Sequence, residues 1–83
     1  MNVIKTPIEG LLIIEPRVFH DARGYFVETY NEQRYREAGV DAAFVQDNQS
    51  CSTYGVVRGL HFQKPPYTQA KLVSCTKGRV LDV

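Results

Sequence analysis

Apolar and polar positions alternate on short periods along most of the chain, and turn-forming residues punctuate them every few positions. The stretch Gly10–Asp21, "GLLIIEPRVFHD", is rich in β-branched and aliphatic residues and is interrupted by Pro16. Proline cannot donate to a ladder, so this reads as a strand that breaks and restarts at an edge. "DARG" is a turn, with Asp21 to open it and Gly24 to relax it, and "YFVETY" is the strand beyond. "NEQRYREAG" predicts a two-turn helix: Asn31 caps it, Glu32 suits its positive end, and Gly39 stops it in a left-handed conformation. "AFVQDNQSCS" then runs from apolar into polar residues, and "GVVRGLHFQ" predicts a further strand.

The last predicted pair is a hairpin. "AKLVSCT" and "RVLDV" flank Lys77-Gly78, which suits a two-residue turn pairing Thr76 with Arg79, Cys75 with Val80 and Val73 with Asp82. Lys71, Val73, Cys75, Val80 and Asp82 would share one face, and Leu72, Ser74, Leu81 and Val83 the other. Each face mixes apolar and polar residues, as when one lines a cavity and the other packs on a second sheet. Many short strands, Gly and Pro turns and a single helix point to an all-β sandwich or barrel, such as a jelly roll.

Composition narrows the function classes. A chain of 83 residues makes at most one domain, and its core is marginal without a metal, disulfide or partner chain. The net charge of +1, with acids and bases interspersed, gives no basic stripe for nucleic acid. "LLII" is far too short for a membrane span or secretory segment. Cys51 and Cys75 have no metal spacing and read as free thiols in a reducing cytosol. The final "GRVLDV" reads as a strand with nothing after it, so the expectation is a larger fold stopped partway.

Candidate chemistry concentrates in "GVVRGLHFQKPP". His61 can exchange a proton near neutral pH and suits a general base; alternatively it is a core histidine bonded to backbone. Arg58 carries a permanent charge on a fork that fits phosphate or carboxylate. In a regular strand the two would face opposite sides, so a β-bulge at Gly59 is predicted to turn both toward one cavity. Lys71 can stabilise an enolate oxygen or bind phosphate, or be a solvated edge lysine. Asp82 can orient a His or Lys, or be an ordinary exposed carboxylate. Gln46, Asp47 and Asn48 can read sugar hydroxyls or a base edge, or form a polar turn. Arg23 for phosphate, Phe26 for stacking and Glu28 for a hydrogen bond make a nucleotide-reading set, against the plainer reading of a surface hairpin. Gly55 followed by "HFQ" is like the first metal motif of metal-dependent cupins, but Gln63 stands where a second His is needed, so no metal is expected.

Taken together, "DARGYFVETYN", "FVQDNQSCSTYGVVRGLHFQKPP", "QAKLV" and "GRVLDV" closely resemble the N-terminal half of dTDP-4-dehydrorhamnose 3,5-epimerases, from Met1 to Val83. The resemblance implies a cytoplasmic homodimer of cupin-like jelly rolls, without metal or other cofactor. It implies inversion of C3 and C5 of dTDP-4-dehydro-6-deoxy-D-glucose on the way to dTDP-L-rhamnose. By the same resemblance His61 is the base, Lys71 lies near the carbonyl oxygen, and Arg58 binds the sugar-diphosphate. Gln46, Asp47 and Asn48 contact substrate, and Arg23, Phe26 and Glu28 meet the nucleotide. Residues 1–83 are then the N-terminal portion of a single domain. The family's proton-donating Tyr and the Asp that partners the base lie outside it, so the chain alone is expected to be inactive. The other readings are an epimerase acting at C3 or C5 only, and a non-catalytic cupin module that binds a nucleotide sugar.

Overall fold

The computed structural model describes residues 1–83 and divides into two compact units, Met1–Ala43 and Phe44–Val83. All of the regular secondary structure is in the first. Strand β1 (Asn2–Lys5) pairs antiparallel with β2 (Leu12–Glu15), placing Val3 opposite Ile14 and Ile4 opposite Ile13. Between them Thr6 organises the loop: its hydroxyl oxygen accepts from the Ile8 N–H at 3.2 Å and lies 2.9 Å from the Leu11 carbonyl. Pro16 ends β2, as its missing N–H requires. Strand β3 (Val18–Asp21) then pairs with β4 (Gly24–Val27), setting Phe19 opposite Phe26 and His20 opposite Tyr25.

The turn between β3 and β4 forms as the sequence predicts. The Asp21 carboxylate accepts the Arg23 backbone N–H at 2.8 Å, and Gly24 takes a φ of 135° that a side chain would resist.

Helix α1 (Glu32–Glu37) starts and stops on the residues read from the sequence. Asn31 is extended, with φ −145°, and its side-chain oxygen accepts the Arg34 N–H at 2.9 Å. At the other end the Gly39 N–H reaches the Arg36 carbonyl at 3.0 Å and the Val40 N–H the Tyr35 carbonyl at 2.8 Å. That is a Schellman closure, and Gly39 permits it with φ 103°. Asn31→Ala is expected to destabilise α1 by about 1 kcal/mol. Hydrogen exchange at the Arg34 amide checks this; unchanged protection would remove the cap from the account.

One side chain forms the centre of this unit. Tyr35 is buried, with 3% of its surface exposed. Its hydroxyl donates to the Thr29 carbonyl at 2.8 Å, and its ring meets Tyr30 edge to face at 5.1 Å. The helix thereby holds the chain that leaves β4. Beyond the helix, a Cβ added at Gly39 would stand 3.8 Å from Leu12 Cδ1 on β2.

The second unit differs from expectation. The strand predicted over "GVVRGLHFQ" and the hairpin about Lys77-Gly78 are not formed. Residues 76–78 bend, with Gly78 at φ 84° and the Cys75 thiol 3.4 Å from the Lys77 carbonyl, but no ladder follows. The β-bulge at Gly59 is likewise absent, because there is no ladder for it to interrupt; Gly59 instead takes φ 111° ahead of a cis peptide to Leu60. The strand predicted as "YFVETY" also stops early, at Val27. An isolated strand pair is marginal at best in water, and β3–β4, itself almost wholly exposed, extends only four residues a strand about its local turn. Every residue from Val45 to Val83 is exposed, Val57 at 90% and Leu81 at 90%, so here no face is covered. Tighter turns do form, with the Val56 N–H on Thr53 and the Tyr67 N–H on Lys64 across the cis Pro65-Pro66 bond. Both cysteines are free thiols, as expected. No helix is long and apolar enough to cross a membrane.

Candidate functional site

The first unit carries the predicted nucleotide-reading residues on one hairpin and its exit. Arg23 sits in the β3–β4 turn, Phe26 lies on β4, and Glu28 follows the end of that strand. Both charged members are held by neighbours. Two Arg23 nitrogens engage Asp21, with Nη2 at 2.6 Å and Nε at 3.2 Å from Oδ2. The pair is exposed, but the fork geometry fixes the guanidinium in the turn. Those bonds hold the Asp21 carboxyl below its usual range, and Asp21 pushes the Arg23 guanidinium up. Glu28 ion-pairs through Oε1 with Arg34 Nη1 on α1, and this raises the Arg34 pKa. Phe26 is 69% exposed, leaving its ring open to stacking.

In the second unit Gln46 and Asn48 are brought together, the Gln46 amide donating to Asn48 Oδ1 at 3.2 Å. Arg58 is tied to the preceding turn: Nε donates to Ser52 Oγ at 2.9 Å and Nη2 to the Cys51 carbonyl at 3.3 Å. His61 follows two residues after the turned Gly59, and its side chain is exposed, as are Asp47 and Lys71. No hydrogen bond joins Arg58, His61 and Lys71 to one another. Concavities along α1 (Asn31, Glu32, Gln33, Arg36 and Glu37) and in the β1–β2 loop hold none of the predicted site residues. No cluster of three or more His, Cys, Asp or Glu side chains is gathered anywhere in the chain.

Residues 5–83 match the family model described as dTDP-4-dehydrorhamnose 3,5-epimerase. The chain belongs to that family. The "dTDP-4-dehydrorhamnose 3,5-epimerase" of Shigella flexneri is 57% identical over all of this chain and 46% of its own length. The protein of the same name from Escherichia coli (strain K12) is 55% identical over all of this chain and 45% of its own. That of Methanothermobacter thermautotrophicus is 52% identical over 96% of this chain and 43% of its own. The crystal structure of dTDP-4-dehydrorhamnose 3,5-epimerase from Elizabethkingia anophelis NUHP1 superposes with a TM-score of 0.73 at 54% identity, covering 82% of this chain and 38% of that one. The chain therefore spans rather less than half the length of these relatives, and corresponds to their N-terminal part.

Membership settles the fold class. The expected all-β, cupin-like architecture with one short helix stands, as the N-terminal portion of the epimerase fold.

Two partners of the candidate residues are not singled out by the sequence. Asp21 reads there as a turn former, and its spacing of two from Arg23 is the available signal. Arg34 lies six residues beyond Glu28 and meets it across the junction between β4 and α1. Nothing local announces such a pair.

Proposed function

We propose that residues 1–83 are the N-terminal portion of a single cupin-like domain of a 3,5-epimerase acting on dTDP-4-dehydro-6-deoxy-D-glucose. The observation that carries this reading is 57% identity, across the whole chain, to a curated epimerase of that name. C3 and C5 both flank the C4 ketone, so their protons become acidic once the enolate oxygen is stabilised. His61 takes the proton as general base, Lys71 stands at the carbonyl oxygen, and Arg58 binds the sugar-diphosphate. Gln46, Asp47 and Asn48 bind substrate, while Arg23, Phe26 and Glu28 hold the nucleotide. Removing a proton from one face and returning one to the other changes no oxidation state, so the inversion consumes no redox co-substrate. The working form in this reading is a cytoplasmic homodimer, which covers apolar surface the chain leaves exposed.

The test is solvent exchange. Both the 83-residue chain and the uninterrupted gene product are incubated with the 4-keto sugar nucleotide in heavy water and followed by NMR. The reading expects deuterium at C3 and C5 with the gene product and none with the chain alone. Deuterium at a single carbon would make the protein a one-site epimerase. No exchange by a folded, ligand-binding gene product would leave a binding module in place of the enzyme.

A further inference from the structure

Glu28 is approached by one cation from one side only. Arg34 Nη1 takes Oε1, while Oε2 has no hydrogen-bond partner. Arg34 is itself placed by two independent anchors. Its backbone N–H is bound by the Asn31 cap at 2.9 Å, and the adjacent Tyr35 is buried with its hydroxyl on Thr29, the residue next to Glu28. The ion pair thus bridges the exit of β4 to a helix that is already fixed at both ends. An exposed ion pair contributes little to stability.

We propose that Arg34 is a positioning residue: it orients the Glu28 carboxylate so that Oε2 accepts a hydrogen bond from an uncharged N–H or O–H donor on the nucleoside part of the nucleotide. This rests on the reading of Glu28 as a nucleotide contact. Charge decides the class of donor. Arg34 already neutralises the carboxylate, so a second cation gains little there, and a phosphate oxygen is repelled by Oε2. A neutral imide N–H or sugar hydroxyl is the complementary partner. The phosphates fall to Arg23, at the other end of β4, and to Arg58. The strand thereby separates the two readings, nucleoside at one end and phosphate at the other.

The experiment measures dTDP and inorganic pyrophosphate binding to the uninterrupted gene product by titration calorimetry. The same titrations are made on Arg34→Met, Arg34→Lys, Glu28→Gln and the double variant Glu28→Gln with Arg34→Met. Arg34→Met and Glu28→Gln are each expected to weaken dTDP by about tenfold, the loss of one charge-assisted hydrogen bond. The double variant should be no weaker than either single one, Arg34→Lys should recover most of the affinity, and pyrophosphate binding should be unchanged throughout. Amide shifts of Tyr35 and Thr29 confirm that the helix still docks.

The outcomes separate the two levels of the argument. Loss with Glu28→Gln but not with Arg34→Met overturns the role of Arg34 and leaves Glu28 a nucleotide contact. No loss with Glu28→Gln overturns the reading of Glu28 itself. Losses that multiply in the double variant, or a matching loss of pyrophosphate binding, also overturn the positioning role. Absence of saturable dTDP binding by the folded, unaltered gene product overturns both.

Discussion

His61→Ala in the uninterrupted gene product is expected to lower the rate of substrate C–H exchange in heavy water by a hundred- to ten-thousandfold. That is the range over which a positioned general base acts, and it corresponds to about 3–5 kcal/mol of barrier. His61 is the only histidine of the second unit, and no hydrogen bond ties its side chain to the rest of the chain. Its removal therefore costs no packed contact here, and the fold should persist in the circular dichroism spectrum. The same measurement on Arg58→Ala provides contrast. A residue that binds the sugar-diphosphate raises KM, whereas the base lowers kcat. Exchange at the normal rate in His61→Ala would remove His61 from the mechanism.

Tyr35→Ala carries the largest expected structural effect. Truncating a buried aromatic costs about 3–5 kcal/mol, and Tyr35 is the one buried side chain in the chain. The first unit has no second centre to take its place, so α1 and its contact with Thr29 should be lost together. Proton NMR of the Tyr30 ring, which packs edge to face on Tyr35, reports this directly. Tyr35→Phe keeps the ring and removes only the bond to the Thr29 carbonyl, for about 1 kcal/mol.

The two variants also separate packing from protonation. Burial, and to a smaller extent the Glu28 charge, push the Tyr35 hydroxyl above its ordinary pKa of 10.0. The folded unit thus holds this proton more tightly than the unfolded chain. Its contribution is complete below the ordinary tyrosine pKa and is lost as pH rises above 10.0 through the raised value. The helix signal should therefore fall in alkaline solution for the unaltered chain. In Tyr35→Phe that alkaline step should be absent; its persistence would place the titration elsewhere.

Local chemistry made the first unit legible. The Asn31 cap, the Gly39 stop, the Asp21 turn and the break at Pro16 each act over a few residues, and each is found where the sequence places it. The motifs that mark the family are equally local, and 57% identity to a curated member bears out the resemblance. Strand formation from Phe44 onward was misjudged, because alternation of apolar and polar residues indicates which strands are possible. Whether they form also depends on turn closure and packing, and from Val45 onward every residue is exposed.

The sequence by itself determined the family, the fold class, the turn chemistry and the helix limits, since these depend on residue types at short spacing. Only the tertiary structure decided that Arg34 meets Glu28, that Tyr35 is the buried centre, and that Arg58 turns back onto Ser52 and Cys51. Each of those contacts depends on a chain reversal or on packing. The energy that selects them comes from groups brought together in space, and spacing along the chain does not specify which groups those are.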